Sequence, residues 1–324
     1  MSVPQYLRKA SLIIGPDEGL GLDLSALRFK FSVHRGDIQT PNEANIRIYN
    51  VSDDTAKSVE NVEFSRLILQ AGYEGNFGVI FDGQIKQVRR GRESQTDTFL
   101  DVTAADGDSA YNFSMTAMSL AAGANGSKDT AGLVLGDMAK HGVQQGYIPD
   151  LPGDPLPRGK VVYGMSRDEM RKLAKNTSTS WSIQDGKVVM IPLTTYLPGE
   201  IPVISAETGL VGLPEQSSNG IHLKILLNPN IKIGQAVKLD NSSIQKMKFG
   251  IGIGSTASNL MAEQSNKIND EQLYYVMVAE HDGDTRGNNW YTELNCLAVD
   301  ATIPASYISK QSVRGDVGSI KRYG

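Results

Sequence analysis

The chain has 324 residues and a formal net charge of −4, with 40% hydrophobic and 21% charged residues. These values are typical of a soluble globular protein of about two or three domains, and they argue against a strongly basic nucleic-acid binder. The single cysteine, Cys296, excludes an intrachain disulfide, and we expect it to be an inert, inward-facing thiol that suits a reducing cytoplasm.

The N-terminal part of the chain predicts a small β-barrel or sandwich. Residues 1–9 lack the apolar core of a signal peptide, and no run of the sequence approaches the roughly 18 apolar residues of a membrane span, so we expect no membrane insertion. Short apolar or alternating runs then lie at 10–14, 27–33, 67–73, 78–88 and 98–104. Together with the run at 41–52 they predict five or six strands before residue 110, including a hairpin around Glu74-Gly75-Asn76.

The run from Pro41 to Ser52 is the most informative in the sequence. Ala44, Ile46 and Ile48 alternate with Asn45, Arg47 and Tyr49, which is the period-2 pattern of a half-buried strand. Ser52-Asp53-Asp54 follows and predicts a helix start, because acidic residues are favourable in the first turn of a helix. A long strand leading into a short helix, in a β-rich chain without a catalytic constellation, suggests a structural ring-forming protein.

The middle of the chain predicts a small α+β unit. The small residues at 117–126 indicate a linker, and Asp129 or Thr130 is expected to cap a helix that reaches about His141. Four prolines at 149–158 require an extended connection. A capping box at 166–169 predicts a second helix, and Asp185-Gly186 between alternating segments predicts a β-hairpin.

Strands are predicted again from about residue 204. The runs 220–227 and 235–239 flank an Asn-Pro-Asn turn, and 272–280 and 290–299 flank the segment His281-Asp282-Gly283-Asp284. The Gly-rich stretch at 241–270 is expected to be an insertion, and the residues after 306 are expected to be a poorly ordered tail. The sequence shows no clean repeat, but the similar sizes of the two β blocks permit a duplicated fold.

No residue is assigned here as catalytic, cofactor-binding or metal-binding, although several motifs invite such readings. His281 with Asp282 and Asp284 offers metal ligands, but without a second histidine nearby it is interpreted as a turn. The glycine run at 250–255 lacks the lysine of a phosphate loop and is interpreted as a mobile loop. The Arg-Gly-Asp at 35–37 is interpreted as a turn after a strand, and the one at 314–316 as accidental. Scattered carboxylates at Glu60, Glu63, Glu74, Glu169 and Asp185 are interpreted as solvated surface rather than as a glycan-cleaving acid–base pair.

Three stretches carry a family resemblance. They are PNEANIRIYNVS at 41–52, TGLVGLP at 208–214 with LLNPNIKIG at 226–234, and YVMVAEHDGDTRGNNWYT at 275–292. In this order they resemble a strand ending in Tyr-Asn-Leu-Ser, the start of the second tube-like domain and the closing hairpin of baseplate hub proteins from contractile-tailed, Mu-like bacteriophages.

The resemblance implies a mainly β fold with a smaller α+β part. Two tube-protein-like β-barrel or sandwich domains are implied, with an α+β domain inserted between them. The implied boundaries are 1–110 for the first tube-like domain, 111–203 for the peripheral α+β domain, 204–240 with 271–305 for the second tube-like domain, 241–270 for the insertion loop and 306–324 for the C-terminal tail.

The resemblance also implies an assembly. Three subunits joined head to tail form a homotrimer, whose six-fold-like ring joins the sixfold tail tube to the threefold central spike. The implied partners are the tail tube protein, the central spike protein, the tape-measure protein and the surrounding baseplate proteins. DNA passes only transiently through the lumen, and no cofactor is implied. The implied location is the tail baseplate of the virion, after synthesis and assembly in the host bacterial cytoplasm.

Two alternatives stay open at this point. One is a tail-associated enzyme that degrades cell wall or glycan through a pair of carboxylates. The other is the hub of a related injection machine, a contractile bacteriocin.

Overall fold

The computed structural model of the chain describes residues 5–16, 21–60, 65–153, 155–217, 220–240, 244 and 272–299. The expected tail at 306–324 lies outside these ranges, as do the glycine run at 250–255 and the Arg-Gly-Asp at 314–316. The expected insertion at 241–270 also lies outside them, apart from Ile244, which is buried in a core of the last β-strands.

The first part of the chain contains seven strands and one helix: β1 (Arg8–Gly15), β2 (Leu22–Asp23), β3 (Phe29–Gly36), β4 (Glu43–Tyr49), α1 (Asp53–Glu60), β5 (Arg66–Tyr73), β6 (Asn76–Arg92) and β7 (Thr98–Ala105). The middle contains α2 (Asp108–Phe113), β8 (Met115–Leu120), α3 (Gly126–Ala139), β9 (Gln144–Gln145), β10 (Lys160–Met165), α4 (Ser166–Asn176), β11 (Thr179–Gln184) and β12 (Lys187–Pro192). The last part contains β13 (Val203–Ile204), a 3₁₀ turn (Ala206–Thr208), β14 (Leu210–Ser217), β15 (Gly220–Leu226), β16 (Ala236–Leu239), β17 (Leu273–Asp284) and β18 (Trp290–Ala298).

Most of the strands belong to one sheet. Its neighbours run β14-β15-β18-β17-β3-β4-β7-β6-β5-β1-β2, with β16 paired to β17 and β13 paired to β16. Each neighbouring pair along this path is antiparallel. The middle of the chain forms two smaller sheets, β8–β10 and β11-β12-β9. The predicted fold class, mainly β with a smaller α+β part, is confirmed.

The same strand order occurs twice in the large sheet. In the first β unit, consecutive strands β3 to β7 lie in the order β3-β4-β7-β6-β5, and in the second β unit β14 to β18 lie in the order β14-β15-β18-β17-β16. The two units also share a bulge. Lys86 is an extra residue of β6 against β7, and Met277 is an extra residue of β17 against β18. The fold is therefore duplicated, although the sequence shows no repeat.

Three clusters of buried apolar side chains form the interior. One lies in the first β unit, one in the middle unit (α2 to β12) and one in the second β unit. The predicted alternation in β4 is confirmed, since Ala44, Ile46 and Ile48 are buried in the first cluster. Tyr49 on the opposite face is buried as well, because the guanidinium of Arg28 covers its ring at 4.8 Å.

Two predictions for the middle unit are wrong. The expected linker at 117–126 contains strand β8, which pairs antiparallel with β10. Helix α3 begins earlier than expected, at Gly126, because the side chain of Asn125 accepts the N–H of Lys128 at 2.9 Å and so caps the first turn. The small residues of this stretch concealed both features, since they give little apolar contrast between the two faces of a strand.

The predicted capping box at Ser166 is also wrong, although helix α4 does begin there. The Ser166 hydroxyl is buried and lies 2.7 Å from Ser114 Oγ and 3.0 Å from Thr116 Oγ1, so it binds β8 and its preceding residue instead of its own helix. The helix has no side-chain hydrogen bond at its N-cap residue, Met165. Tertiary contacts therefore replaced a local hydrogen bond that the sequence pattern favours.

The hairpin predicted at Asp185-Gly186 is confirmed, and the turn predicted at His281–Asp284 is wrong. Asp185 and Gly186 have φ values of 53° and 71°, as a two-residue hairpin turn requires. The segment His281–Asp284 is the end of strand β17, and the turn comes after Asp284. Gly283 pairs with Trp290 and Phe31 on the two neighbouring strands, and a glycine is needed there because the rings of these two residues occupy the space of a Cβ.

Candidate functional surface

The joint between the two β units positions one continuous polar face. Residues Val278–Asp284 of β17 pair antiparallel with Lys30–Gly36 of β3. The strands β14-β15-β18-β17 and β3-β4-β7-β6 therefore form a continuous eight-strand sheet. Because side chains alternate along a strand, one face of this sheet covers the cores and the other is polar. The polar face carries Lys30, Ser32 and His34 of β3, Asn45 and Arg47 of β4, Asp101 and Thr103 of β7, Gln87 and Arg89 of β6, Glu280 and Asp282 of β17, Glu293 and Asn295 of β18, and His222 and Lys224 of β15.

Opposite charges are paired on the first unit's part of the polar face. The Asp101 carboxylate accepts hydrogen bonds from Arg47 Nε at 2.7 Å and from Arg89 at 3.0 Å. Partial burial opposes ionisation of Asp101, but the two guanidinium groups outweigh it and lower the pKa of this carboxyl below its ordinary value. The carboxylate is therefore ionised at neutral pH and partly neutralises its two cations.

Polar contacts between neighbouring strands continue across the joint and onto the second unit. His34 Nδ1 lies 3.0 Å from Glu280 Oε1, a contact that links β3 to β17. Lys224 Nζ lies 2.9 Å from Glu293 Oε1, and Arg47 with Asp101 completes the pattern on the other unit. Since each pair is formed across neighbouring strands, the face carries many charges but no large field of one sign.

A buried polar network lies where the three units meet, on the core side of β3. Arg35 donates to the carbonyl of Ile80 at 3.2 Å and pairs with Asp185 at 3.0 Å. The Asp106 carboxylate accepts the N–H groups of Asp185 and Gly186 at 2.7 and 2.8 Å. Burial raises the pKa of Asp106 to about 6, although its hydrogen bonds act in the opposite direction. These contacts fix the middle unit's hairpin turn against the first β unit.

Other members of the network reach the second β unit. Lys232 Nζ lies 3.4 Å from Asp185. Burial acts to raise the pKa of the Asp185 carboxyl, but the positive charges of Arg35 and Lys232 outweigh it, so that this pKa is lowered. Asp37 accepts hydrogen bonds from the Tyr275 hydroxyl and from Ser180 Oγ. Burial raises the pKa of the Asp37 carboxyl to about 6. One residue from each of the three units therefore contributes to this second cluster.

Sequence reasoning missed this network, and the signal that was available is the parity of β3. The sequence predicts a turn after a strand for the Arg-Gly-Asp at 35–37, but Arg35 and Gly36 belong to β3, and Arg35 and Asp37 are buried. Arg35 has the same parity as Phe29 and Phe31, which places it on the buried face. A charge at such a position indicates a buried partner.

The residues considered for chemistry do not converge. His281 is buried beside Thr292, and burial lowers the pKa of its imidazole to about 3, so it is neutral at physiological pH. Asp284 is instead bound to Arg28 at 2.9 Å. Within the described ranges, no three His, Cys, Asp or Glu side chains are grouped as metal ligands.

The scattered carboxylates have separate partners, and their interpretation as solvated surface is wrong for Glu169, which is buried. Glu169 is paired with Lys172 in α4, Asp185 with Arg35, and Glu74 with Lys9. Glu60 is an exposed residue at the end of α1, and Glu63 lies outside the described residues. Cys296 is buried, which confirms the expected inward-facing thiol, and burial raises the pKa of this thiol to about 12.

The middle unit presents an exposed apolar strip. In the two-stranded sheet β8–β10, Met115, Val161 and Tyr163 are exposed, and Phe113 is exposed at the end of α2, two residues before Met115. Contiguous apolar surface of this kind is typical of protein interaction sites. Among the described residues, no helix has the length and apolar character needed to cross a bilayer.

No protein-family model matches this sequence, and a comparison with curated proteins finds no match. Solved structures do show the same fold. The 43 kDa tail protein of prophage MuSo2 from Shewanella oneidensis has a TM-score of 0.54 at 8% identity, covering 91% of this chain and 100% of that chain. A tail protein from Neisseria meningitidis MC58 has a TM-score of 0.54 at 9% identity, covering 92% and 98%.

A third similar structure is that of the PdpA–VgrG complex in its lidless form. Its TM-score is 0.53 at 7% identity, and the alignment covers 93% of this chain and 66% of that chain. At such identities the likeness establishes architecture and not activity. The two tail proteins are matched over almost their whole length, so the likeness extends to all three units. This chain therefore has the fold of phage tail proteins.

Proposed function

We propose that this protein is the baseplate hub of a contractile phage tail. In this role three copies close a ring that joins the sixfold tail tube to the threefold central spike. The residues 1–110, and 204–240 with 271–305, act as its two tube-like domains, and 111–203 is the peripheral domain. The protein has no enzymatic role in this proposal, and its place is the baseplate of the virion.

One observation carries the proposal: two β units of identical strand order are joined edge to edge in one sheet. A chain with two equivalent units presents six units when three copies close a ring. Such a ring matches a sixfold partner on one side while keeping true threefold symmetry on the other. The fold of phage tail proteins supports the same role.

The polar face supports a lumen through which DNA passes without being retained. Affinity for DNA depends mainly on cations that neutralise phosphates. On this face Arg47 and Arg89 are paired with Asp101, and Lys224 is paired with Glu293. A wall of balanced charge attracts a polyanion weakly, so we assign the polar face to the inside of the ring.

The outward-facing middle unit is proposed to contact the surrounding baseplate proteins through its exposed apolar strip. Burying Tyr163 and Phe113 against a partner would remove apolar surface from water, at roughly 25 cal/mol for each Å². The tail tube and central spike are the proposed axial partners, and the tape-measure protein is the proposed occupant of the lumen before DNA.

The test is the mass of the purified protein alone and with its spike protein. Native mass spectrometry is expected to show a trimer, and electron microscopy of the particle is expected to show the ring between tube and spike. A protein that stays monomeric at high concentration with the spike present would contradict the proposal.

The enzyme alternative has its own test. Zymography on cell-wall material is expected to show no clearing by this protein. A cleared zone that disappears when one carboxylate is replaced, for example in Glu169→Gln, would favour the enzyme. The presence or absence of capsid and terminase genes beside its gene distinguishes a phage hub from a bacteriocin hub.

A further inference from the structure

A pocket of about 390 Å³ lies at one end of the first β unit, outside the polar face. It is enclosed by the start of β1, the loop before β3, the start of β6 and the turn between β17 and β18. Three cationic side chains line it, Arg8, Lys9 and Arg286, and among the described residues no carboxylate does. Ligand-binding pockets commonly have volumes in this range, and three cations without a lining carboxylate favour an anion.

The guanidinium of Arg8 is held in place within the chain. Its two terminal nitrogens donate to the carbonyl oxygens of Gly287 and Asn288 at 2.8 and 3.1 Å, and its Cζ lies 5.7 Å from the centroid of the Trp290 ring. Carbonyl oxygens orient a guanidinium without cancelling its charge, and further N–H donors of this group remain for an anion. Arg8 is therefore an oriented cation rather than a flexible one.

The turn after β17 brings a second cation to the same place. The backbone N–H of Arg286 donates to Asp284 Oδ1 at 2.9 Å, while the Asp284 carboxylate is ion-paired with the side chain of Arg28. The exposed side chain of Arg286 has no ion pair among the described residues. Because Arg8 is bound to Gly287, the next residue of this turn, two positive charges are held close together. An anion bound between them would relieve their repulsion.

The third cation of the pocket is only weakly neutralised. Lys9 Nζ lies 3.9 Å from the Glu74 carboxylate, and both side chains are about half exposed to solvent. Exposed ion pairs at such a distance contribute little free energy. Lys9 is therefore able to contribute to the binding of an external anion.

Exposed apolar side chains flank these cations. Phe77 lines the pocket and is 41% exposed, and Tyr6 and Leu7, immediately before Arg8, are each 60% exposed. Leu7 has a φ of 57°, a left-handed conformation that is uncommon for leucine, and its carbonyl accepts the N–H of Glu74 at 3.0 Å. A small inorganic anion would leave this apolar surface in water, whereas a peptide can cover it and supply a carboxylate as well.

We infer that this pocket binds an acidic segment of a partner protein, with a carboxylate between Arg8 and Arg286 and an apolar side chain against Phe77. Arginine clusters are a recurrent means of recognising acidic peptide motifs. The inference goes beyond the proposed hub function, because each copy of the chain carries the pocket whether or not a ring closes.

The neighbouring surface favours a short acidic segment over a nucleic-acid backbone. A second pocket, of about 460 Å³, continues from the first across Ala26 and Leu27 and shares Arg286 with it. Both signs of charge line this second pocket, and its carboxylates are those of Glu93 and Asp97. A phosphate backbone that continued past the first pocket would meet these carboxylates. A peptide carries its charges at separate positions and can avoid such repulsion.

Peptide binding to the full chain tests the inference, with fluorescence anisotropy at low salt as the measurement. The probe is a capped, fluorescein-labelled hexapeptide of alternating aspartate and leucine. Two matched peptides replace every aspartate by asparagine or every leucine by serine. Arg8→Gln and Arg286→Gln each remove one charge from the pocket. The control is Arg158→Gln, which removes an exposed arginine from the proline-rich connection.

The aspartate–leucine peptide is expected to bind with a dissociation constant below about 1 mM. Each pocket variant is expected to weaken binding roughly tenfold, because one charge-assisted contact is lost, and Arg158→Gln is expected to leave it unchanged. The asparagine peptide should bind at least roughly tenfold more weakly, and the serine peptide several-fold more weakly. The circular dichroism spectrum of Arg286→Gln should match that of the unmodified protein, because no printed side-chain ion pair within the described chain is removed.

Absence of saturable binding would overturn the inference, as would an equal loss of affinity in Arg158→Gln. Duplex DNA that binds more tightly than the peptide and is weakened by Arg286→Gln would identify a nucleic acid as the ligand and also overturn it. A trimer that binds no peptide would contradict this inference alone. A monomer that binds the peptide would contradict the hub function alone.

Discussion

The indole N–H of Trp290 donates a hydrogen bond to the carbonyl oxygen of Gly72 at a distance of 3.2 Å. Trp290 begins β18 of the second β unit, and Gly72 lies in β5 of the first. The Trp290 ring is buried in the core of the first unit, where it meets Phe31 edge to face with ring centroids 5.4 Å apart. The two units therefore share a side chain as well as a sheet, so they are expected to unfold together.

Replacing Trp290 tests this shared core. We expect Trp290→Phe to lower the free energy of unfolding by about 1–3 kcal/mol, because the Gly72 carbonyl loses its donor and the smaller ring leaves a cavity. Trp181→Phe is the matched control, since the buried indole N–H of Trp181 has no hydrogen-bond partner among the described residues. Urea titrations of both variants should show the larger loss for Trp290, and equal losses would contradict the role of this hydrogen bond.

The buried face of β4 gives a second prediction. Ile46→Asp places an unpaired carboxylate in the core of the first β unit, which costs on the order of 4 kcal/mol or more. We expect loss of folding, or loss of any assembled ring, by circular dichroism and native mass spectrometry. Asn45→Asp adds the same side chain to the exposed face of the same strand and is expected to cost at most about 1 kcal/mol. A stable, assembled Ile46→Asp protein would show that the strand is assigned wrongly.

Stability is expected to depend on pH through the buried carboxyl groups of Asp37 and Asp106. Burial raises both pKa values from 3.8 to about 6 in the folded chain, so the folded state binds more protons than the unfolded state between these values. This contribution is fully present below about pH 4 and is lost as the pH rises through about 6. Between these pH values the free energy of unfolding is therefore expected to fall by roughly 2–3 kcal/mol less in Asp37→Asn than in the unmodified protein.

Urea midpoints measured between about pH 4 and pH 7 check this prediction. Asp150→Asn, at an exposed position in the proline-rich connection, is the control and should leave the slope unchanged. An identical pH profile for the Asp37→Asn variant and the unmodified protein would mean that Asp37 is not the titrating group. The carboxyl of Asp185 has a lowered pKa and acts in the opposite direction at lower pH.

The balanced charge of the polar face is testable with DNA. In Asp101→Asn, Arg47 and Arg89 lose the carboxylate that neutralises them. We expect this variant to bind duplex DNA more tightly at low salt, with a steeper dependence on salt, because freed cations release counterions from phosphates. Fluorescence anisotropy measures both quantities. Asp150→Asn changes the net charge equally, so an equal gain for both variants would locate the effect away from this face.

The local elements of this protein could be predicted from its sequence. Period-2 alternation at 43–49 and the Asp-Gly turn at 185–186 gave the correct strand and hairpin, since such patterns depend on neighbours a few residues apart. The mainly β class and the inert Cys296 followed from the same kind of reasoning. The elements that failed, at 117–126 and at Ser166, are those where distant residues replaced a local preference.

The tertiary structure alone decided how the β units are connected. The pairing of His34 with Glu280 joins residues separated by 246 positions, and nothing in either strand's own pattern specifies that partner. The same holds for Asp106 and the turn at 185–186, and for the strand order that occurs twice without a repeated sequence. Alternation of side chains determines which face of a strand is buried. Which strand lies beside it depends on backbone hydrogen bonds, which carry no side-chain signature and are selected only when the whole chain packs.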